Sequence, residues 1–190
     1  MWLPALFLIA GSVPAPECSV DREAMLALDE RAFDQDMNGG WRRVAGRSGC
    51  TSAAADLIAA YREAHPDHTT ILYWHEGQLR ADEGQTKAAI ALFERSYDRG
   101  NIWNIDSGWN SYVDATIAFL RQDMDGLKAA RQALATLPPP AEQPGARPEA
   151  KAIKTRSWPP NLGVVDGLIR CFSKPYRLAY GEACRSGKSR

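Results

Sequence analysis

Two groups of residues in this chain have the types and spacing that chemistry uses. The first is the run Asp34-Gln-Asp-Met-Asn-Gly-Gly40. Asp34, Asp36, Asn38 and Gly39 match the first, third, fifth and sixth positions of a calcium-binding loop, where oxygen ligands alternate before a sharp turn. Such a loop also needs a bidentate glutamate at its twelfth position. That residue is Ala45, and the ninth is Arg42, a cation where the metal's charge would sit. The run therefore reads as a helix end, with Asn38 or Gly39 in the left-handed conformation that stops a helix. The second group holds the three histidines, His65, His68 and His75, with Asp67 and Glu76 nearby. Imidazole and carboxylate together can hold zinc or copper. Ligands on a helix want spacing i and i+3 or i+4. His65 and His68 have it but straddle Pro66, so no helix aligns them, and His75 falls on a core stripe. The group reads as a solvated turn plus one packed histidine, and no metal is expected. A small exported hydrolase or metal-binding enzyme using His65, His68, His75 or Glu76 is the alternative.

Other chemistries leave no trace. There is no G-x-S-x-G, no phosphate loop and no dinucleotide fingerprint, so neither a catalytic motif nor a cofactor is expected. The 23 basic and 23 acidic residues give zero formal charge, which argues against nucleic acid. The basic clusters Arg42-Arg43 and Arg185, Lys188, Arg190 read as solvated surface.

The apolar run Trp2 to Ala10, followed by small residues and prolines, predicts a secretory signal over residues 1–15. It is too short to span a bilayer, which needs about 20 apolar residues, and no span is expected in the mature chain. No Lys or Arg precedes the run, so either the α-amino group alone supplies the positive charge or the true start lies upstream. A periplasmic or secreted location follows, and with it disulfides for Cys18, Cys50, Cys171 and Cys184. Of three possible pairings, Cys18–Cys50 and Cys171–Cys184 are the shorter closures. The second needs the last helix to be short or sharply angled.

Alanine is abundant and Val, Ile and Thr are sparse, which favours helix over sheet. Periodicity predicts a helix from Ser19 to about Asp36, a second from Thr51 to before His65-Pro66, a third over Ile71–Asp82 and a fourth capped by Thr86. A fifth follows Ser107, and a sixth runs from near Asp123 to Leu137. A Pro-rich linker over 138–148 separates the repeat domain (16–137) from a C-terminal helical segment (149–190), where one helix runs to Phe172 and another from Lys174-Pro175 to Cys184. The expected class is all-α.

Tyr73, Gly77, Gly84, Ala89, Phe93 and Ser96 resemble the tetratricopeptide repeat: an aromatic, a small residue four on, a turn, then small, aromatic and small. Tyr112, Ala115, Thr116 and Phe119, with Gly126, Ala130, Ala133 and Pro138, resemble a second unit whose turn is two residues shorter. The resemblance covers roughly 71–138. It implies a TPR-like stack of helical hairpins, as a right-handed solenoid or bundle with a C-terminal helical extension. It also implies a non-catalytic role, binding another protein or peptide through first-helix faces. On that reading Ile71, Trp74, Gln78 and Asp82 contact the partner, Trp74 turning toward the surface beside the core residue Tyr73. A structural accessory domain with no groove of its own is a further alternative.

Overall fold

The computed structural model describes residues 17–67, 70–100, 107–139 and 158–187. The expected signal, His68 and residues 140–148 of the linker lie outside them. Among the described residues there is no strand, and the class is all-α. The elements are α1 (Arg22–Leu26), a π-helical turn (Arg31–Gln35), α2 (Gly40–Ala45), α3 (Thr51–Ala64), α4 (Thr70–Asp82), α5 (Thr86–Arg95), α6 (Trp109–Leu120) and α7 (Met124–Ala135). Three more close the chain: α8 (Leu162–Arg170), α9 (Tyr176–Ala179) and α10 (Glu182–Ser186).

The long central helices fall where periodicity puts them. Asp123 caps α7 through its side chain, which accepts from the Gly126 N–H at 2.9 Å. The ends differ from expectation. The helix expected from Ser19 to Asp36 is broken. Asp21, not Ser19, caps α1, and the Asp29 carboxylate accepts from the Ala32 N–H at 2.7 Å to start a new turn. That turn is π-helical, closed by the Asp36 N–H on the Arg31 carbonyl at 3.0 Å. The wider turn carries one extra residue, so two consecutive side chains, Phe33 and Asp34, both point inward. The left-handed residue after it is Gly40, not Asn38 or Gly39: its φ is +48°, and a Cβ there would meet the Phe33 carbonyl oxygen at 1.9 Å. Only glycine fits so close to backbone. At the other end, the helix expected from Pro175 to Cys184 is split at Tyr180-Gly181 into α9 and α10.

Consecutive long helices pack on one another: α3 on α4, α4 on α5, α5 on α6, α6 on α7, with α8 across α6 and α7. Two cores result. The N-terminal one gathers Phe33, Trp41, Val44, Ile58 and Tyr61. The larger one gathers Trp74, Phe93, Trp109, Tyr112, Phe119, Leu168 and Tyr176. Helix α4 belongs to both, giving Leu72 and Leu79 to the first and Trp74 and Ala81 to the second. Each core is stapled by a disulfide with the expected pairing: Cys18–Cys50, with Cα atoms 5.4 Å apart, and Cys171–Cys184, at 6.0 Å. The second bridge forms because α9 and α10 are short and separated by a turn. Trp158 donates to the Leu137 carbonyl at 2.8 Å, holding the start of the C-terminal segment against the end of α7. No helix among the described residues is long and apolar enough to cross a membrane.

Candidate functional site

The residues that resembled a calcium loop do different work. Asp34 is fully buried. Its Oδ1 accepts from Trp41 Nε1 at 2.8 Å and lies 2.7 Å from His75 Nδ1 and 3.5 Å from the Arg42 guanidinium. Gln35 donates to Oδ2. Burial works against the Asp34 charge, but the bonds from His75 and Trp41 and the Arg42 charge outweigh it and hold the carboxyl below the usual aspartate range. An ionised carboxylate can only accept, so His75 carries its proton on Nδ1. Asp36 turns back on its own loop and accepts from the Asn38 N–H at 2.9 Å. The run ties the π-helical turn, α2 and α4 together, and its first carboxylate is spent on protein donors.

The two described histidines do not converge. His65 stacks on Tyr61, ring centroids 4.2 Å apart, and its Nε2 donates to the Leu26 carbonyl at 2.8 Å. His75 is held by Asp34. A carboxylate-oriented imidazole is half of a nucleophilic triad. Among the described residues, the polar groups bonded to this pair are Trp41, Arg42 and Gln35, and none is a nucleophile. Glu76 is engaged elsewhere: it is buried and takes the Arg62 guanidinium through two hydrogen bonds, with Arg80 3.5 Å away bridging on to Asp56.

The α4 face assigned to a partner is covered by the chain itself. Trp74 is 3% exposed rather than turned to the surface, with ring centroids 4.7 Å from Phe93, 4.9 Å from Trp109 and 4.7 Å from Tyr112. Its place one residue after Tyr73 would expose it on a helix buried along one stripe, but α4 is packed on two sides. Ile71 touches both cores. Gln78 and Asp82 are half-buried where α9 packs on α4. Tyr176 of α9 fills the space next to them, 6.5 Å from Phe93 and 6.1 Å from Phe119 between ring centroids. Burial pushes the Asp82 carboxyl up to about 6, with Arg177 of α9 offsetting part of the rise and Glu83 adding to it.

An open recess lies elsewhere, near the end of α3 and the end of α5. It is a hollow of about 390 Å³ lined by Arg62, Pro66, Tyr73, Arg95 and Arg99. The guanidiniums of Arg62 and Arg95 each sit 4.1 Å from the centroid of the Tyr73 ring. Both guanidiniums are therefore held against the one ring. Arg62 has its counter-charge in Glu76, and the four charges Arg62, Arg80, Glu76 and Asp56 balance. Arg95 and Arg99 have no carboxylate partner among the described residues, and no acidic residue lines the hollow there. Sequence reading missed this site because its cations are dispersed, at positions 62, 95 and 99, unlike the adjacent Arg42-Arg43. The one local signal is the like-charged pair Arg95 and Arg99, four residues apart across the end of α5.

The chain matches no family model, no curated protein and no solved structure.

Proposed function

We propose that the protein is a non-catalytic binding module of the periplasm or extracellular space, built as a degenerate tetratricopeptide-like stack of helical hairpins. The observation that carries the binding role is the arginine-lined hollow around Tyr73, an open recess with two guanidiniums left uncompensated. Like charges held together without counter-charge cost stability in the free protein, and an anionic partner relieves that cost. Export is supported by the two disulfides, which persist in oxidising compartments. The repeat-like architecture is supported by Gly77, where a Cβ would meet the Phe93 ring at 2.8 Å, so that only glycine lets α4 and α5 approach this closely. Ala89, Phe93 and Ser96 are all fully buried, as the repeat's second helix requires. The contact surface is then the hollow at the helix ends, not the α4 face that α9 covers.

Photocrosslinking in the native compartment tests this reading. A photoreactive residue at Pro66, on the rim, is expected to form an adduct with a second macromolecule, and Arg95→Ala/Arg99→Ala is expected to abolish it. The same probe at Met37, 73% exposed and outside the lining, serves as control. Equal adducts from both positions, or none from position 66, would overturn the assignment.

A further inference from the structure

We propose that the hollow recognises a dianionic phosphate monoester. The proposal rests on the binding-module reading and names the group it binds. Three features of the lining select this chemistry. Recognition is by charge and not by stacking: among the described residues Tyr73 is the only aromatic residue of the lining, and its ring already holds the guanidiniums of Arg62 and Arg95. Pro66 is the one other uncharged residue among the described residues of the lining. The donors are guanidiniums, whose planar forks match the oxygens of phosphate or carboxylate. The charge balance then separates the anions. Arg62 is neutralised by Glu76, which leaves a charge of two on Arg95 and Arg99. A phosphate monoester carries about −1.5 to −2 at pH 7 and offers three acceptor oxygens. A carboxylate, a phosphodiester or a sulfate ester carries one negative charge and would leave one guanidinium without counter-charge. A soluble phosphomonoester and the headgroup of phosphatidic acid present the same group.

The test uses the full mature chain with both disulfides intact. Glycerol 3-phosphate is titrated while the Arg Nε–Hε and Tyr73 ring signals are followed by NMR, with methyl sulfate and acetate as monoanion controls. In parallel, sedimentation is measured with phosphatidylcholine vesicles containing either phosphatidic acid or phosphatidylglycerol. Saturable shifts are expected at Arg95, Arg99 and Tyr73, with the monoanions binding at least about tenfold more weakly, the value of one charge-assisted contact. Arg95→Ala and Arg99→Ala should each weaken binding by about tenfold on the same scale, and Arg95→Lys/Arg99→Lys should recover part of it. Both arginines are exposed, so the variants keep the wild-type circular dichroism. Shifts with glycerol 3-phosphate assign the soluble source; sedimentation only with phosphatidic acid assigns the headgroup. Equal affinity for mono- and dianions, undiminished binding by Arg95→Ala/Arg99→Ala, or no saturable response to either phosphomonoester would overturn the proposal. If that happens while the position-66 adduct still depends on Arg95 and Arg99, the phosphate assignment fails and the binding-module reading stands. Loss of both fails the reading itself.

Discussion

The two cores of this molecule are held by different means. The N-terminal core packs short pieces against α3 and α4: α1 and the π-helical turn have five residues each and α2 has six. Segments so short are not stable helices in water. What orders them is a buried polar node, Asp34 with Trp41, Arg42 and His75, together with the Cys18–Cys50 bridge and the Phe33–Tyr61 stack, whose centroids lie 3.7 Å apart. The C-terminal core is built around helices of 12 or 13 residues packed through large aromatics, and its buried hydrogen bonds are between neutral groups, such as Trp109 to the Ser96 carbonyl and Thr116 to the Tyr112 carbonyl. The contrast shows that segments too short to be stable alone can still be ordered when the donors and acceptors buried with them are paired. Helix α4 couples the two regions because it contributes to both cores.

Trp74→Ala should produce the largest loss, about 4 kcal/mol, because it removes a fully packed indole from among three rings. Chemical denaturation should still show one transition if α4 makes the two cores cooperative; a variant that unfolds in two steps would break the comparison. Asp34→Ala should cost about 3 kcal/mol by leaving buried donors without an acceptor. The lowered Asp34 pKa fixes the sign with pH. Its stabilisation is complete above the ordinary aspartate range and is lost as pH falls through the lowered folded value. The deficit of Asp34→Asn relative to wild type should therefore shrink in acid, and a constant deficit would refute the charged form.

Removing the disulfides separates the regions more finely. On the loop-closure account, Cys18→Ser/Cys50→Ser should cost about 3.7 kcal/mol and Cys171→Ser/Cys184→Ser about 2.9 kcal/mol, from sequence separations of 32 and 13. The reverse order in thermal melts would show that native contacts, rather than chain entropy, dominate one bridge. The smallest effect is expected at Asp82, where α9 meets α4. Its folded pKa of about 6 lies above the unfolded value, so the folded state holds the extra proton and stability falls as pH rises from about 4 to 6. Asp82→Asn should raise the melting temperature slightly at pH 8 and leave it unchanged at pH 4. An Asn variant less stable at pH 8 would mean that the Arg177 contact outweighs burial.

Much of the helical framework was legible in local residue types. The stripes of α3 to α7, the stop at Leu137-Pro138, the Asp123 cap and the cysteine pairing each depend on neighbours within a few residues or on loop length. Gly77 was legible as a small residue where two helices approach, but that the Phe93 ring is what meets it came from the packing. The π-helical turn was not: Asp34 reads as a metal ligand or a helix end until His75, 41 residues away, arrives at its carboxylate. Trp74 was misplaced for a similar reason. Periodicity identifies one apolar stripe, whereas α4 is buried on two sides, and the side that carries Trp74 is covered by Phe93 of α5 and by Trp109 and Tyr112 of α6. The arginine hollow is wholly a tertiary product. By itself the sequence determined that the long central segments are helical and how the cysteines pair, because those are set by short-range sterics, hydrogen bonding and chain entropy. Only the packing decided that Asp34 turns inward, that α9 closes the α4 face, and that Arg62, Tyr73, Arg95 and Arg99 meet, because each requires side chains from separate helices to compete for the same space.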